Sequence, residues 1–283
     1  MLIYCFEINN SNKTSTIFAK ENATTMKTNF DYLDSLREKI SRSYHEADQI
    51  VAQAKSNYTY LKAPNGRPTK LCLEDWILVR TKAFKEKFGD WETAHKKHFL
   101  LYHEAVKQLS GTEFEKQAGK TLSEQVSEYF ANIGGMAHSP LFGEVILDRK
   151  GAEDSLAHGM GRKKAIAYAA VKEVIEQGIL IAYDVNHKKR GYDSAIIAAP
   201  IQIAGNDFVC EVVVTRLEDN RFYLHEVTQK NKLQDAVFLT NLGRSPSAHL
   251  GVAAKVLQDI VCANDLPEIF FDENGEPCLD GCE

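Results

Sequence analysis

The sequence predicts an α+β fold: a helical N-terminal half, then a C-terminal domain of two helices packed on a four-stranded antiparallel sheet plus a closing helix. Three observations predict it. Apolar residues recur at helical spacing through the first half. The period then changes, and four β-rich runs follow one another. Gly205-Asn206-Asp207 and Glu218-Asp219-Asn220 separate the last three runs, as tight turns between antiparallel neighbours do.

Residues 1–27, rich in Asn, Ser and Thr, read as a short strand or tail and a linker. Asn29–Asn57 carries Phe30, Leu33, Leu36 and Ile40 at helical spacing and reads as a helix. Ala63–Pro68 (APNGRP) is a turn cluster. Leu71–Trp91 follows as a helical segment with Trp76, Val79, Ala83 and Phe84 on one face; Phe88 continues that face and Gly89 is a stop signal. Helical spacing persists over Thr93–Leu109 and Ser123–Ile133. Ile133–Pro140 (IGGMAHSP) reads as a linker, dividing the chain into a helical region (1–135), an α+β domain (136–264) and an acidic tail (265–283). Within the domain, Ala152–His158 and Arg162–Gln177 read as helices, the second ending at Gly178. The strands are Ile179–Val185, Tyr192–Ile203, Phe208–Arg216 and Arg221–Thr228, and Ser247–Cys262 is the closing helix.

Hydrophobic residues make up 44% of the 283 residues and charged residues 26%, as in ordinary globular chains. The net charge of −5 excludes a molecule that is basic overall, so any attraction for phosphate must be local. No apolar run approaches the roughly 18 residues of a spanning helix. No basic segment precedes an apolar one at the N-terminus. The expectation is a cytoplasmic protein without a membrane partner. The six cysteines are scattered and read as reduced and structural. Asp265–Glu283 holds seven acids and no Lys or Arg. It reads as a solvated tail, or alternatively as a mask over a basic cleft.

The chemistry-bearing residues fall between Asp154 and Glu226. Metal-free RNA cleavage needs a base to take the 2′-hydroxyl proton, an acid to protonate the leaving 5′-oxygen, and cations for the phosphate charge. Histidine suits the first two roles near neutrality. Arg149–Asp193 carries nine Lys or Arg against six acids, a local excess of +3. His158 precedes Gly159-Met160-Gly161, and Arg162, Lys163 and Lys164 decorate the next helical turn. Cations there oppose the helix dipole, which points to phosphate binding. The other reading of His158 is a C-capping histidine. Strict alternation puts His225 with Tyr223 and Val227, opposite Phe222, Leu224 and Glu226. His225 then faces either an open sheet site or plain solvent. Arg190 and Tyr192 lie in a basic connection that could grip phosphate and stack on a base. A Lys-rich hairpin serving solubility is the alternative. His95, His98 and His103 with Glu104 offer only an HxxH pattern, and neither metal nor cofactor is assigned.

DSLAHGMGRKKAIAYAAV, RGYDSAIIAAPIQI and RFYLHEV resemble a domain of phage and mobile-element polyvalent proteins, also found at the C-terminus of MuF-type head proteins. That domain is grouped with the barnase–EndoU–colicin–RelE-like nucleases. The resemblance implies two helices on a sheet of about four antiparallel strands and, where active, metal-independent RNA cleavage. His158 and His225 match its motif positions, and Arg190 and Tyr192 fall in its recurrent blocks. APNGRPTKLCLEDWILVRTKAFKEKFGDWE resembles a helical module of the same proteins that often precedes an effector such as an ADP-ribosyltransferase. Its Trp76, Phe84, Phe88 and Trp91 read as packing residues, and no ADP-ribosyl transfer is expected.

The functional expectation is an endoribonuclease of a prophage or mobile element, acting on RNA, tRNA among the candidates, and leaving a 2′,3′-cyclic phosphate. His158 and His225 share acid and base roles; Lys163, Lys164 and Arg190 hold phosphate; Tyr192 supports. The rival expectation is an inactive module of the same fold that engages a host protein or nucleic acid to protect the element. A host or immunity protein is a further expected partner.

Overall fold

The computed structural model describes residues 31–40, 45–157 and 165–231, with short pieces at 270–271 and 277–278. The class is α+β, but the sheet differs from the one expected. Seven strands form one mixed sheet: β1 (Lys107–Leu109), β2 (Met136–Ser139), β3 (Gly143–Ile146), β4 (Ile179–Asp184), β5 (Asp193–Ile203), β6 (Asn206–Arg216) and β7 (Phe222–Asn231). The order is β1-β5-β6-β7-β3-β2, with β4 also paired to β5.

The four expected strands are β4 to β7, and they pair antiparallel in sequence order. The correction lies in the other three. β1 joins β5 in parallel, β3 joins β7 in parallel, and β2 pairs antiparallel with β3. Strands of three or four residues are too short to show a period of two. β1 closes the stretch of helical spacing Thr93–Leu109, and β2 follows Gly134 and Gly135 in the stretch that reads as a linker. Physically, these short strands cover edges that β5 and β7 would otherwise expose. The expected closing helix Ser247–Cys262 lies outside the described residues.

The helices are shorter than the sequence suggested. One spans residues 31–40 (α1). α2 is His45–Ser56, α3 Leu73–Leu78, α4 Lys82–Phe88, α5 Trp91–Tyr102, α6 Leu122–Asn132, α7 Arg149–Ala157 and α8 Val171–Gln177. Leu71–Trp91 is thus two helices, because the Thr81 hydroxyl accepts from the Phe84 N–H at 3.2 Å and starts α4 afresh. Gly89 ends α4 at φ 96°, as its stop signal predicted. α6 opens on a capping box in which Thr121 and Glu124 satisfy each other's backbone N–H groups.

The main core lies on one face of the sheet. There Ala195, Ala199, Val212, Val214 and Leu224 meet Val126 and Phe130 of α6, Ala152 of α7, and Val174 and Ile175 of α8. The 3₁₀ segment Ile166–Ala170 contributes buried alanines and packs against β1 and β7. On the opposite face Leu100 of α5 packs with Ile179, Ala198 and Val209. β5 is therefore buried on both faces, which explains its near-continuous apolar run.

Pro200 sits inside this central strand, where proline is usually excluded. Its carbonyl accepts from the Val106 N–H at 2.9 Å, so its ring nitrogen faces the same edge. On that edge β4 begins opposite Ala198 and β1 begins opposite Ile201. The missing N–H falls in the gap.

The β5–β6 turn also departs from the sequence reading. Ile203 pairs with Asn206, so the turn is Ala204-Gly205, with φ of 48° and 76°. Two positive φ values mark a type I′ hairpin turn, in which alanine is strained at the first position. Ala204→Asn is expected to raise stability by about 0.5–1 kcal/mol, measured by urea denaturation. Gly151 of α7 lies against β7: a Cβ there would meet the Leu224 carbonyl oxygen at 2.4 Å. Gly151→Ala is expected to cost about 1–3 kcal/mol in the same assay, because a backbone atom must move.

Candidate functional site

Three connections meet at one end of the sheet. Asp193 of β5 pairs with Arg216 of β6, and Arg216 pairs with Phe222 of β7. β3 runs parallel to β7 from the level of Phe222, so the β2–β3 turn lies at this end as well. Alternation turns Asp193, Arg216 and Phe222 towards the main core.

This end is closed by aromatic rings. Phe142 stacks on Phe222 at 4.5 Å between centroids. Tyr58, from the segment after α2, packs edge-on to both, at 5.5 Å from Phe142 and 5.6 Å from Phe222. Tyr183 of β4 completes the group, 5.8 Å from Tyr58. A polar chain borders the rings. The Tyr183 hydroxyl donates to Asp193 at 2.8 Å, and Arg216 lies 3.6 Å from the same carboxylate. Arg216 also donates to Asn220 at 2.7 Å and stands 5.7 Å from the centroid of Tyr58. Its Nε is buried without a hydrogen-bond partner among the described residues. Burial, then the hydrogen bond and charge of Asp193, push the Tyr183 phenol far above its usual range.

The β4–β5 connection is a folded tip. The Asn186 N–H donates to Asp193 at 3.0 Å, and its side-chain oxygen accepts from the Gly191 N–H at 2.8 Å. The His187 N–H donates to the Tyr192 carbonyl at 2.7 Å, and the two rings sit 5.9 Å apart. His187 also contacts Asp184 at 2.6 Å. Asn186, Lys188 and Lys189 all have positive φ, at 53°, 49° and 58°. Arg190 is exposed on this tip and Tyr192 is half-buried.

His225 sits on β7 at a β-bulge. Val213 pairs with Glu226 and Val214 with Leu224, so His225 is the extra residue. The bulge corrects the expected alternation. Phe222, Leu224 and Val227 all enter the main core, and Val227 does not share a face with Tyr223. His225 is half-buried. By register, it and Tyr192 are two strand spacings apart, about 10 Å, and a further ~10 Å along the strands. The sheet therefore brings His225, Arg190 and Tyr192 to one end without direct contact. His158, Lys163 and Lys164 lie outside the described residues.

Residues 117–224 match the family model of the large polyvalent protein-associated domain 3. The chain carries a polyvalent-protein-associated domain. The match supports a phage or mobile-element setting. It begins within the helical region and includes α6, β2 and β3 with the long strands up to Leu224. No curated protein and no solved structure matches the chain. Among the described residues no helix is long and apolar enough to cross a membrane.

Sequence reading missed Tyr58, Asp193 and Arg216. A signal existed for the last two, since an Asp and an Arg at the ends of strands facing each other across a turn form a natural cross-strand pair. Tyr58 gave none. The raised Tyr183 pKa has a definite sign: the neutral phenol contributes stability that is complete below its unfolded value, near pH 10, and is lost as pH rises towards the folded value. Stability is expected to fall above pH 10 more steeply in the wild type than in Tyr183→Phe, followed by urea denaturation from pH 8 to 11.

Proposed function

We propose that the protein is a mobile-element endoribonuclease that cleaves RNA by attack of its own 2′-hydroxyl, with His225 and His158 as the acid–base pair. One observation carries this reading: the bulge that lifts His225 out of the β6–β7 register. Such bulges re-aim side chains and are frequent beside active sites. Two further features support it. Gly151 of α7 lies against the carbonyl of Leu224, the neighbour of His225, and His158 directly follows the last residue of α7. The six residue steps from Gly151 to Ala157 span only about 9 Å of helix. Arg190 and Tyr192 stand at the same end of the sheet as His225, on a tip held by five backbone and side-chain hydrogen bonds.

In this reading one imidazole removes the 2′-hydroxyl proton and the other protonates the leaving 5′-oxygen. The phosphodiester P–O5′ bond breaks as the O2′–P bond forms, leaving a 2′,3′-cyclic phosphate and a free 5′-hydroxyl. Lys163, Lys164 and Arg190 counter the charge on the non-bridging oxygens, and Tyr192 offers a ring face to a base. tRNA is one candidate substrate.

The test is incubation of purified protein with total RNA in EDTA. Cleavage is expected, and His225→Ala and His158→Ala should each lower its rate by about 10²–10⁴-fold with the fold intact by circular dichroism. Uncut RNA, or equal cutting by either variant, rejects the enzyme. RNA or a host protein retained without cleavage would favour the inactive binding module.

A further inference from the structure

A second place in the molecule, away from His225, bears an excess of half-buried positive charge. A cavity of about 270 Å³ lies between α2, the segment after it, α5 and β4. Ala54, Pro64, Leu180 and Ala182 give it apolar walls. Four cations line it: Lys62, Arg80, Lys85 and Lys96.

Two of the four are neutralised. Arg80 donates to Glu92 at 2.5 Å and to the Trp76 carbonyl at 2.8 Å, with its guanidinium 4.0 Å from the Trp76 ring centroid. Lys85 pairs with Asp90 at 3.3 Å. The other two make no direct ion pair among the described residues. Lys62 donates to the carbonyls of Pro140 and Leu141 at 2.9 and 3.1 Å, and an ammonium group has three donors. Lys96 makes no hydrogen bond or ion pair among the described residues. Burial lowers the pKa of both; at Lys96 the charges of Glu92 and Asp90 oppose that shift and those of Lys85 and Arg80 add to it. A desolvated charge without a counter-ion is costly. Four cations thus share the two carboxylates Glu92 and Asp90, an excess of two positive charges in a small volume.

We propose that this cavity binds a phosphate monoester, whose dianion matches those two charges on one phosphorus centre. Lys62 and Lys96 donate to its oxygens, while Arg80 and Lys85 are held by Glu92 and Asp90 as the fixed rim. A phosphodiester carries one charge fewer and fits less well. A dicarboxylate spreads its charges over two centres and cannot bring both to the same pair of ammonium groups.

The experiment is isothermal titration of the full chain, at low ionic strength and pH 8, with inorganic phosphate, adenosine monophosphate, dimethyl phosphate and succinate as probes. Phosphate or the nucleotide is expected to bind, with dimethyl phosphate and succinate at least tenfold weaker. The first two arms separate free phosphate from a nucleotide as the source. Lys96→Met and Lys62→Met should each weaken binding at least tenfold, with folding checked by circular dichroism. If a variant misfolds, the wild-type melting temperature supplies the second measurement: it should rise with phosphate and not with chloride at equal ionic strength. No heat and no rise with either phosphate probe, equal affinity for dimethyl phosphate or succinate, or unchanged affinity in both folded Lys variants overturns the proposal. RNA cleavage is a separate readout, so loss of one leaves the other standing.

Discussion

β5 is the constraint on which the rest of the fold depends. It pairs with β6 along all eleven of its residues, while β4 and then β1 share its other edge. Helical segments cover both faces. A strand enclosed in this way must be apolar, must be narrow where helices approach, and must hide every backbone polar group. Its alanines and isoleucines meet the first two demands, and placing Pro200 where the edge partner changes meets the third. β6 inherits its register from β5, and β7 inherits its own from β6.

That inheritance is what gives His225 its setting. Once β6 fixes Val213 and Val214 opposite Ile196 and Ala195, β7 must keep Leu224 and Val227 in the core although three positions separate them. An odd spacing cannot be met by regular alternation, and the bulge absorbs the extra residue. A histidine stands at the bulged position, which hydrophobic burial does not dictate. The close approach of α7 at Gly151 holds the strand beside it.

The N-terminal helices are joined to this sheet by specific contacts. Tyr58 inserts among Phe142, Tyr183 and Phe222, and Lys62 grips the β2–β3 turn through two carbonyls. Trp76 and Trp91 tie the N-terminal elements to one another. Their rings flank Arg80, and their indole N–H groups donate to the Lys62 and Val79 carbonyls at 3.2 and 3.1 Å. The expectation that these tryptophans are packing residues agrees with this arrangement. The same contacts hold the walls of the cation-lined cavity, since Lys62 and Arg80 belong to both.

The sequence by itself determined the α+β class, the four long strands and their antiparallel order, and the stop at Gly89. Each is set by local patterning, in which a residue and its near neighbours carry the whole signal. It also determined which residues are chemically capable, His225, Arg190 and Tyr192 among them. Only the tertiary structure decided the three short strands, because strands of three or four residues gain their stability from partners far along the chain. It alone decided the bulge, which exists relative to β6, and the convergence of Tyr58, Asp193 and Arg216. The gathering of Lys62 and Lys96 around one cavity has the same origin. Charge excess in a buried space is a property of neighbours in three dimensions, and no spacing along the chain encodes it.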